Sequence, residues 1–365
     1  MKGLLRVLAG ESPIGAPARR SHHRRMDSTE EPQLRTKLVF WLLLSVLSVA
    51  LAEVTVASAP LAFVNPVEAA FLLTFDGSHL LVFAWLAFRC GWPSLAALWF
   101  AGVLFGLYEF YITKVLWSPP WGDTISIGHV DIISLIVLAF FWHPFMAFIF
   151  PLAVAETGGT KSRWVADQLP TRVAGLVRNR RSWLFVLGMG AVIHGLLTGS
   201  PGVAIVSMGS ALAAVGLAML WWRHGDRQQR WTLRSLLPND RQGRWMAVLL
   251  AAQYVVFIPT WAPERMPPFA GHVVVWMFYA TFALLLWSAL RQSPRTELRD
   301  QPAGPIGRVT IATIAGLLAI SALASLGPTE IGSVFVWLVA TIVGMGMLTT
   351  SIRHVLRDKR SAPSR

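Results

Sequence analysis

The chain has 365 residues, of which 54% are hydrophobic and only 14% charged, a balance that argues against a large soluble domain. Several apolar runs reach about 20 residues, the length that crosses a hydrocarbon core of roughly 30 Å. This composition predicts an all-α, polytopic transmembrane helix bundle; the formal net charge of +13 reads as a topology signal rather than as a sign of an acidic substrate, and the single cysteine, Cys90, excludes an internal disulfide.

Residues 1–37 are polar and carry eight Lys and Arg. No apolar core with a small-residue cleavage site precedes Lys37, so the segment reads as a disordered basic cytoplasmic tail rather than a cleaved signal peptide. Attraction to anionic lipid explains its charge more simply than nucleic acid does. About ten spans follow, at 38–59, 66–89, 93–115, 129–154, 183–199, 202–222, 245–262, 269–290, 309–327 and 330–352. If the N-terminus is cytoplasmic, 30 of the 32 Lys and Arg fall on the inside, and only Lys114 and Arg265 do not. The bias of Lys and Arg toward inner loops therefore places both termini in the cytoplasm of a multi-pass cell-membrane protein.

The spans divide into a four-span module, 38–155, and three apolar hairpins, 183–352, separated by a basic loop, 156–182, and followed by a basic tail, 353–365. Each hairpin enters after an arginine and turns at a proline: Pro201, Pro263 and Pro328. Their near-regular spacing is compatible with internal repeats and equally with short minimal hairpins. Trp92, Trp183, Trp221, Trp222, Trp245 and Trp287 lie near inner boundaries, and Trp117, Trp121 and Trp261 near outer ones, as expected of interfacial belts.

Ionisable residues concentrate in the four-span module. A charge at mid-bilayer costs about 2.5–3.5 kcal/mol on insertion scales, so such groups face protein or water. At 1.5 Å per residue, Glu53, Asp76, His79 and Glu109 fall in one layer between the middle and the outer leaflet. In "NPVEAAFLLTFDGSHLLVF", Asn65 is a helix cap, Pro66 the first helical residue and Glu68 the third position of a capping box. Asp76-Gly77-Ser78-His79 either breaks the helix or places Asp76 and His79 three residues apart on one face, where they can hydrogen bond. His143 precedes Pro144, whose missing N–H frees a carbonyl that the histidine can satisfy. His129 and Asp131 read as interfacial. Glu109 and Lys114 are five residues apart and point about 140° apart around a helix. Lys114 is expected to snorkel to the outer headgroups, and Glu109 to turn toward Asp76 and His79.

The stretch "AEVTVASAPLAFVNP … FDGSHLLVFAWLAFRCGWPSLAALWFAGVLFGLYEFYITKVLWSPPW", through Gly77-Ser78, Arg89, Gly91-Trp92-Pro93-Ser94, Gly106-x-Tyr108-Glu109, Lys114 and Trp121, resembles a group of uncharacterised prokaryotic multipass membrane proteins over residues 52–121. Members of that group often show two adjacent acids where this chain has Glu109-Phe110, and the group supplies no catalytic residues to carry over. A fainter similarity is to intramembrane proteases of the CAAX-processing type, which pair a Glu-Glu-x-x-x-Arg helix with Phe-x-x-x-His. Here the second acid is missing, Thr113 stands for the arginine, and Ala139 stands four residues before His143.

Three functions remain open. The first is transport or permeation of a proton, cation or small polar solute, with Asp76, His79, Glu109, Glu53 and His143 forming the binding site. The second is a non-catalytic membrane partner or assembly factor. The third is an intramembrane enzyme with Glu109 as general base, the candidate catalytic residue. No ATP-binding loop, G-x-S-x-G, H-E-x-x-H or haem-attachment motif is present. The scattered His and carboxylates lack a metal spacing, so neither a metal nor a cofactor is expected. The oligomeric state stays open.

Overall fold

A computed structural model describes residues 31–119, 121–122, 124–170, 173, 180–224, 231–292 and 310–361, and side chains at 180–186 and 358–361 are excepted. The basic tail 1–30 and parts of the three basic loops and the C-terminal tail lie outside the described residues.

The first span is α1, Leu34–Val49, which continues as a π-helical turn, Ala50–Val54. The second is α2, Pro66–Arg89, and the third α3, Leu95–Thr113. A two-residue hairpin follows, β1 (Ser126–Ile127) against β2 (Val130–Asp131). The fourth span is composite: α4, Ile132–Ser134, then a π-helix over Leu135–Ile149, then α5, Phe150–Gly159. A short α6, Trp164–Gln168, precedes α7, Arg180–Thr198, and α8, Pro201–Arg223. The remaining helices are α9 (Leu233–Leu236), α10 (Asp240–Thr260), α11 (Phe269–Arg291), α12 (Ile311–Ala324) and α13 (Thr329–Ser361).

Eight helical spans among the described residues are long and apolar enough to cross a membrane. The apolar parts of α7 and α12, Leu187–Thr198 and Ile311–Ala324, are shorter. Helices therefore occupy all ten expected spans, and eight of them have the length to cross.

The local rules of helix start are visible. Asn65 accepts from the N–H groups of Val67 and Glu68, with Pro66 at the first helical position. Ser94 accepts from the Ala97 N–H, and Asn239 with Gln242 forms a reciprocal capping box at the start of α10. Asp131 caps α4 by accepting from the Ser134 N–H at 2.6 Å. That explains its burial as structural.

The four-span module is the interior of the bundle. Its spans are 72–89% buried, against 11–28% for the four later ones of spanning length. The later helices ring it: α8 packs on α1, α10 on α2, α11 on α3, and α13 on the fourth span. Leu217, Val255, Leu284 and Leu338 are exposed on this outer ring. A continuous exposed apolar surface of this kind suits lipid and not water. Trp221, Trp245, Trp261 and Trp287 are exposed, whereas Trp92 and Trp222 are buried; the Trp222 indole donates to the Gly159 carbonyl at 2.7 Å. Those two tryptophans are packing residues rather than belt residues.

Helix α2 runs unbroken through Asp76-Gly77. Gly77 serves packing instead, because a Cβ there would overlap Ser45 of α1.

Candidate functional site

Gly102, Gly106 and Glu109 lie on one face of α3, at i, i+4 and i+7. A Cβ at Gly102 would stand 2.5 Å from the Pro144 Cα, and one at Gly106 3.0 Å from the His143 Cβ. The two glycines thus let the fourth span lie backbone-close against α3. That approach puts His143 opposite Glu109, with Nε2 and Oε2 2.9 Å apart. Both side chains are buried, at 3% and 8% exposure.

Pro144 has no N–H to give to the π-helical ladder. The neighbouring Phe140 carbonyl accepts from the Trp99 indole at 2.9 Å. The His143 Nδ1 faces the Leu138 carbonyl at 3.4 Å, which leaves Nε2 for Glu109. The π-helical hydrogen-bond pattern, i→i+5, shifts the angular position of every residue it contains, and such segments recur at functional sites.

Glu53 sits in the other π-helical turn, at the end of the first span. Its Oε2 accepts from the Ser58 hydroxyl at 2.7 Å, and the side chain is half-buried. One ligand atom from each of Glu53, Glu109 and His143 falls within 4.8 Å of the others. Cross-links hold the first and fourth spans around this point: Ser48 Oγ donates to the Ala147 carbonyl at 2.8 Å, and Trp142 Nε1 to the Ala52 carbonyl at 2.9 Å.

Asp76 and His79 are both buried, but they do not hydrogen bond to each other. His79 Nδ1 donates to the Phe75 carbonyl at 2.6 Å, one helical turn back on its own helix. Its Nε2 and the Asp76 Oδ2 have no hydrogen-bond partner among the described residues. Glu109 turns to the fourth span, not to this pair on α2, because the glycine face of α3 brings His143 closer. Phe105 separates the two histidines, stacking on His79 at 5.3 Å and meeting the His143 ring edge at 5.6 Å. Of the five expected site residues, Glu53, Glu109 and His143 come within reach of one another, whereas no hydrogen bond or ion pair joins Asp76 or His79 to them among the described residues.

Lys114 departs from the expected snorkel. It is fully buried, and its Nζ donates to the Ile258 carbonyl at 2.7 Å and to the Trp261 carbonyl, at the C-terminal end of α10. A cation there meets carbonyls that have no intrahelical donor and the negative end of the helix dipole. Lys114 also ends α3, in the left-handed conformation with φ 60°. Glu156 is likewise structural. Fully buried, it accepts from Ser162 Oγ at 3.0 Å and from the N–H groups of Trp164 and Val165 at 2.8 and 2.7 Å, closing the start of α6.

The chain has four tyrosines, and all four gather beside the site, a cluster that no sequence-based expectation covers. Tyr254 stands 4.6 Å from Tyr108 and 5.3 Å from Tyr111, with Tyr279 6.3 Å from Tyr111. His272 Nδ1 meets the Tyr111 hydroxyl at 2.5 Å, and His79 touches the Tyr108 ring at 4.7 Å. Tyr108-x-x-Tyr111 on α3 is the available signal, since that spacing puts both rings on one face.

Comparison with known proteins agrees with this membrane architecture. An uncharacterised protein of the archaeon Archaeoglobus fulgidus is 28% identical over 269 residues, covering 73% of this chain and 82% of the relative. No solved structure matches. A family model described as an uncharacterized membrane protein family matches residues 42–358, which takes in every span but the start of α1. The chain is an integral membrane protein and belongs to that family.

Proposed function

We propose that this protein binds a proton or small cation at Glu53, Glu109 and His143 and carries it across the cell membrane, with both termini in the cytoplasm. The observation that supports this is the 2.9 Å approach of Glu109 Oε2 to His143 Nε2. A carbonyl can only accept, so the tautomer that satisfies the 3.4 Å contact to Leu138 is the one with the hydrogen on His143 Nδ1. In the neutral ring, Nε2 then presents a lone pair to a carboxylate oxygen. Two acceptors at that distance repel unless a proton or a cation lies between them. Glu53, at the end of the first span, is only half-buried, so it gives this point an exposed edge. Asp76 Oδ2 and His79 Nε2, unpartnered among the described residues, continue the polar set into the bundle. Anionic lipid at the cytoplasmic face would meet the basic loops and tails.

The test is flux. The full chain is reconstituted into liposomes that hold a pH-reporting or cation-reporting dye, and a gradient is imposed. The expected result is flux above empty liposomes, lost in Glu109→Gln and His143→Ala, and largely kept in His272→Ala. Equal flux in wild type and Glu109→Gln, at equal incorporation, would refute the proposal.

A further inference from the structure

We infer that Glu53, Glu109 and His143 form a binding site for a divalent first-row metal ion of the manganese, iron or zinc class. This rests on the reading of these residues as a cation site and names the cation. Three side chains from three different spans supply one imidazole nitrogen and two carboxylate oxygens. Such N,O sets suit Zn, Fe and Mn; soft ions favour thiolate or thioether ligands. The single thiol, Cys90, lies in the connector between the second and third spans.

The geometry suits a shared metal as well as it suits a hydrogen bond. Metal–nitrogen and metal–oxygen bonds of about 2.0–2.2 Å put neighbouring ligand atoms roughly 3 Å apart in an octahedron. Glu109 Oε2 and His143 Nε2 are 2.9 Å apart. All three ligand atoms lie within 4.8 Å of one another, so any approach that Glu53 still has to make to a shared metal is small. Its half-buried position gives the side chain room to make it.

The surroundings of the ligands point the same way. A metal-bound histidine characteristically donates its second ring N–H to a carbonyl or carboxylate, which fixes the tautomer and orients the ring. His143 makes that contact through Nδ1 to Leu138. Ligating carboxylates are held in turn by hydrogen bonds, and Ser58 Oγ holds Glu53 Oε2, so that Oε1 can face a metal. His143 is 3% exposed, and beyond the Glu109 carboxylate its Nε2 has no partner among the described residues. Three protein ligands also leave positions for water, which an ion that enters and leaves needs.

Metal binding to the purified full-length protein in detergent tests the inference. The protein is stripped with a chelator, titrated with Co2+ and with Mn2+, Fe2+ or Zn2+, and desalted. Bound metal is counted by mass spectrometry, and the visible Co2+ spectrum reports the ligand set. The expected result is one metal per chain. Affinity should fall at least tenfold in Glu109→Gln and His143→Ala, and roughly tenfold in Glu53→Gln, with no change in His272→Ala. Glu53→Gln leaves the interior intact, so it decides the matter if His143→Ala does not fold. No stoichiometric metal in wild type, or an affinity unchanged in Glu53→Gln and Glu109→Gln, overturns the inference. If wild type binds no metal but proton flux in liposomes is lost in Glu109→Gln, the site takes a proton: the metal is wrong and the transport reading stands. If both metal and flux are missing, both readings fall.

Discussion

Glu109 and Lys114 show how far one residue can be read from its neighbours. Both are ionisable groups at the end of a strongly apolar run, and they meet different partners, Glu109 on the fourth span and Lys114 at the end of α10. Their partners are not legible, because each lies far away in sequence, on a helix whose placement only packing decides. Lys114 at a helix end invites a snorkelling reading, and what defeats that reading is α10 ending directly above it. Lys114→Met should therefore be destabilising: the lost charge-assisted hydrogen bonds are each worth about 1.5–3 kcal/mol. A lower melting temperature in detergent, with metal or proton binding retained per folded molecule, is the expected result; an unchanged melting temperature would show that the lysine does no structural work. Asn65 and Pro66, by contrast, stand where sequence places them, because capping depends only on residues two or three positions away.

At the scale of elements, the deciding feature is a shared face, and part of it is invisible in sequence for a geometric reason. Glu53 and His143 both lie in π-helical segments. A helical wheel drawn at the α period rotates such residues off their true direction, so the sequence groups Glu53, Glu109 and His143 with Asp76 and His79 as candidates, but spacing does not single out those three as the ones that meet. Gly102 and Gly106 carry the other signal that a search for ionisable groups passes over. Their four-residue spacing beside Glu109 marks where a second backbone comes close. Gly102→Ala would place a methyl 2.5 Å from the Pro144 Cα, and overpacking of this kind costs about 1–3 kcal/mol. It should lower the melting temperature and weaken the site as the fourth span moves away from α3. Gly188, where an added Cβ would meet nothing within 4 Å, serves as the contrast. Gly188→Ala should be neutral or gain up to about 1 kcal/mol from helix propensity. Equal losses from the two substitutions would mean that the close approach at Gly102 is not what builds the site.

Across the whole molecule, the apolar runs of the sequence are helices, eight of them among the described residues long and apolar enough to cross a membrane, and the first four of these are far more buried than the later four. The physical meaning of that split becomes clear only in the fold, where the first half is the interior and the second its lipid-facing ring. Sidedness rests on the distribution of Lys and Arg. Ser126 in the hairpin between the third and fourth spans and Cys90 between the second and third are both exposed. An impermeant thiol reagent on intact cells should label Ser126→Cys in a Cys90→Ser background and spare the native Cys90 until the cells are opened. The reverse pattern would invert the topology.

The central claim is that Glu53, Glu109 and His143 form a site that a proton or cation occupies, and a hydrophobic carbodiimide tests it most directly. Such reagents modify carboxylic acids that are protonated in apolar surroundings, and adducts are mapped by mass spectrometry on the full chain in membranes. Adducts are expected on Glu53 or Glu109 that fall as pH rises and fall again when the bound cation is supplied at constant pH. Adducts confined to the peripheral acids Glu68, Glu264 and Glu330, with Glu53 and Glu109 unmodified at every pH and indifferent to added cations, would contradict it.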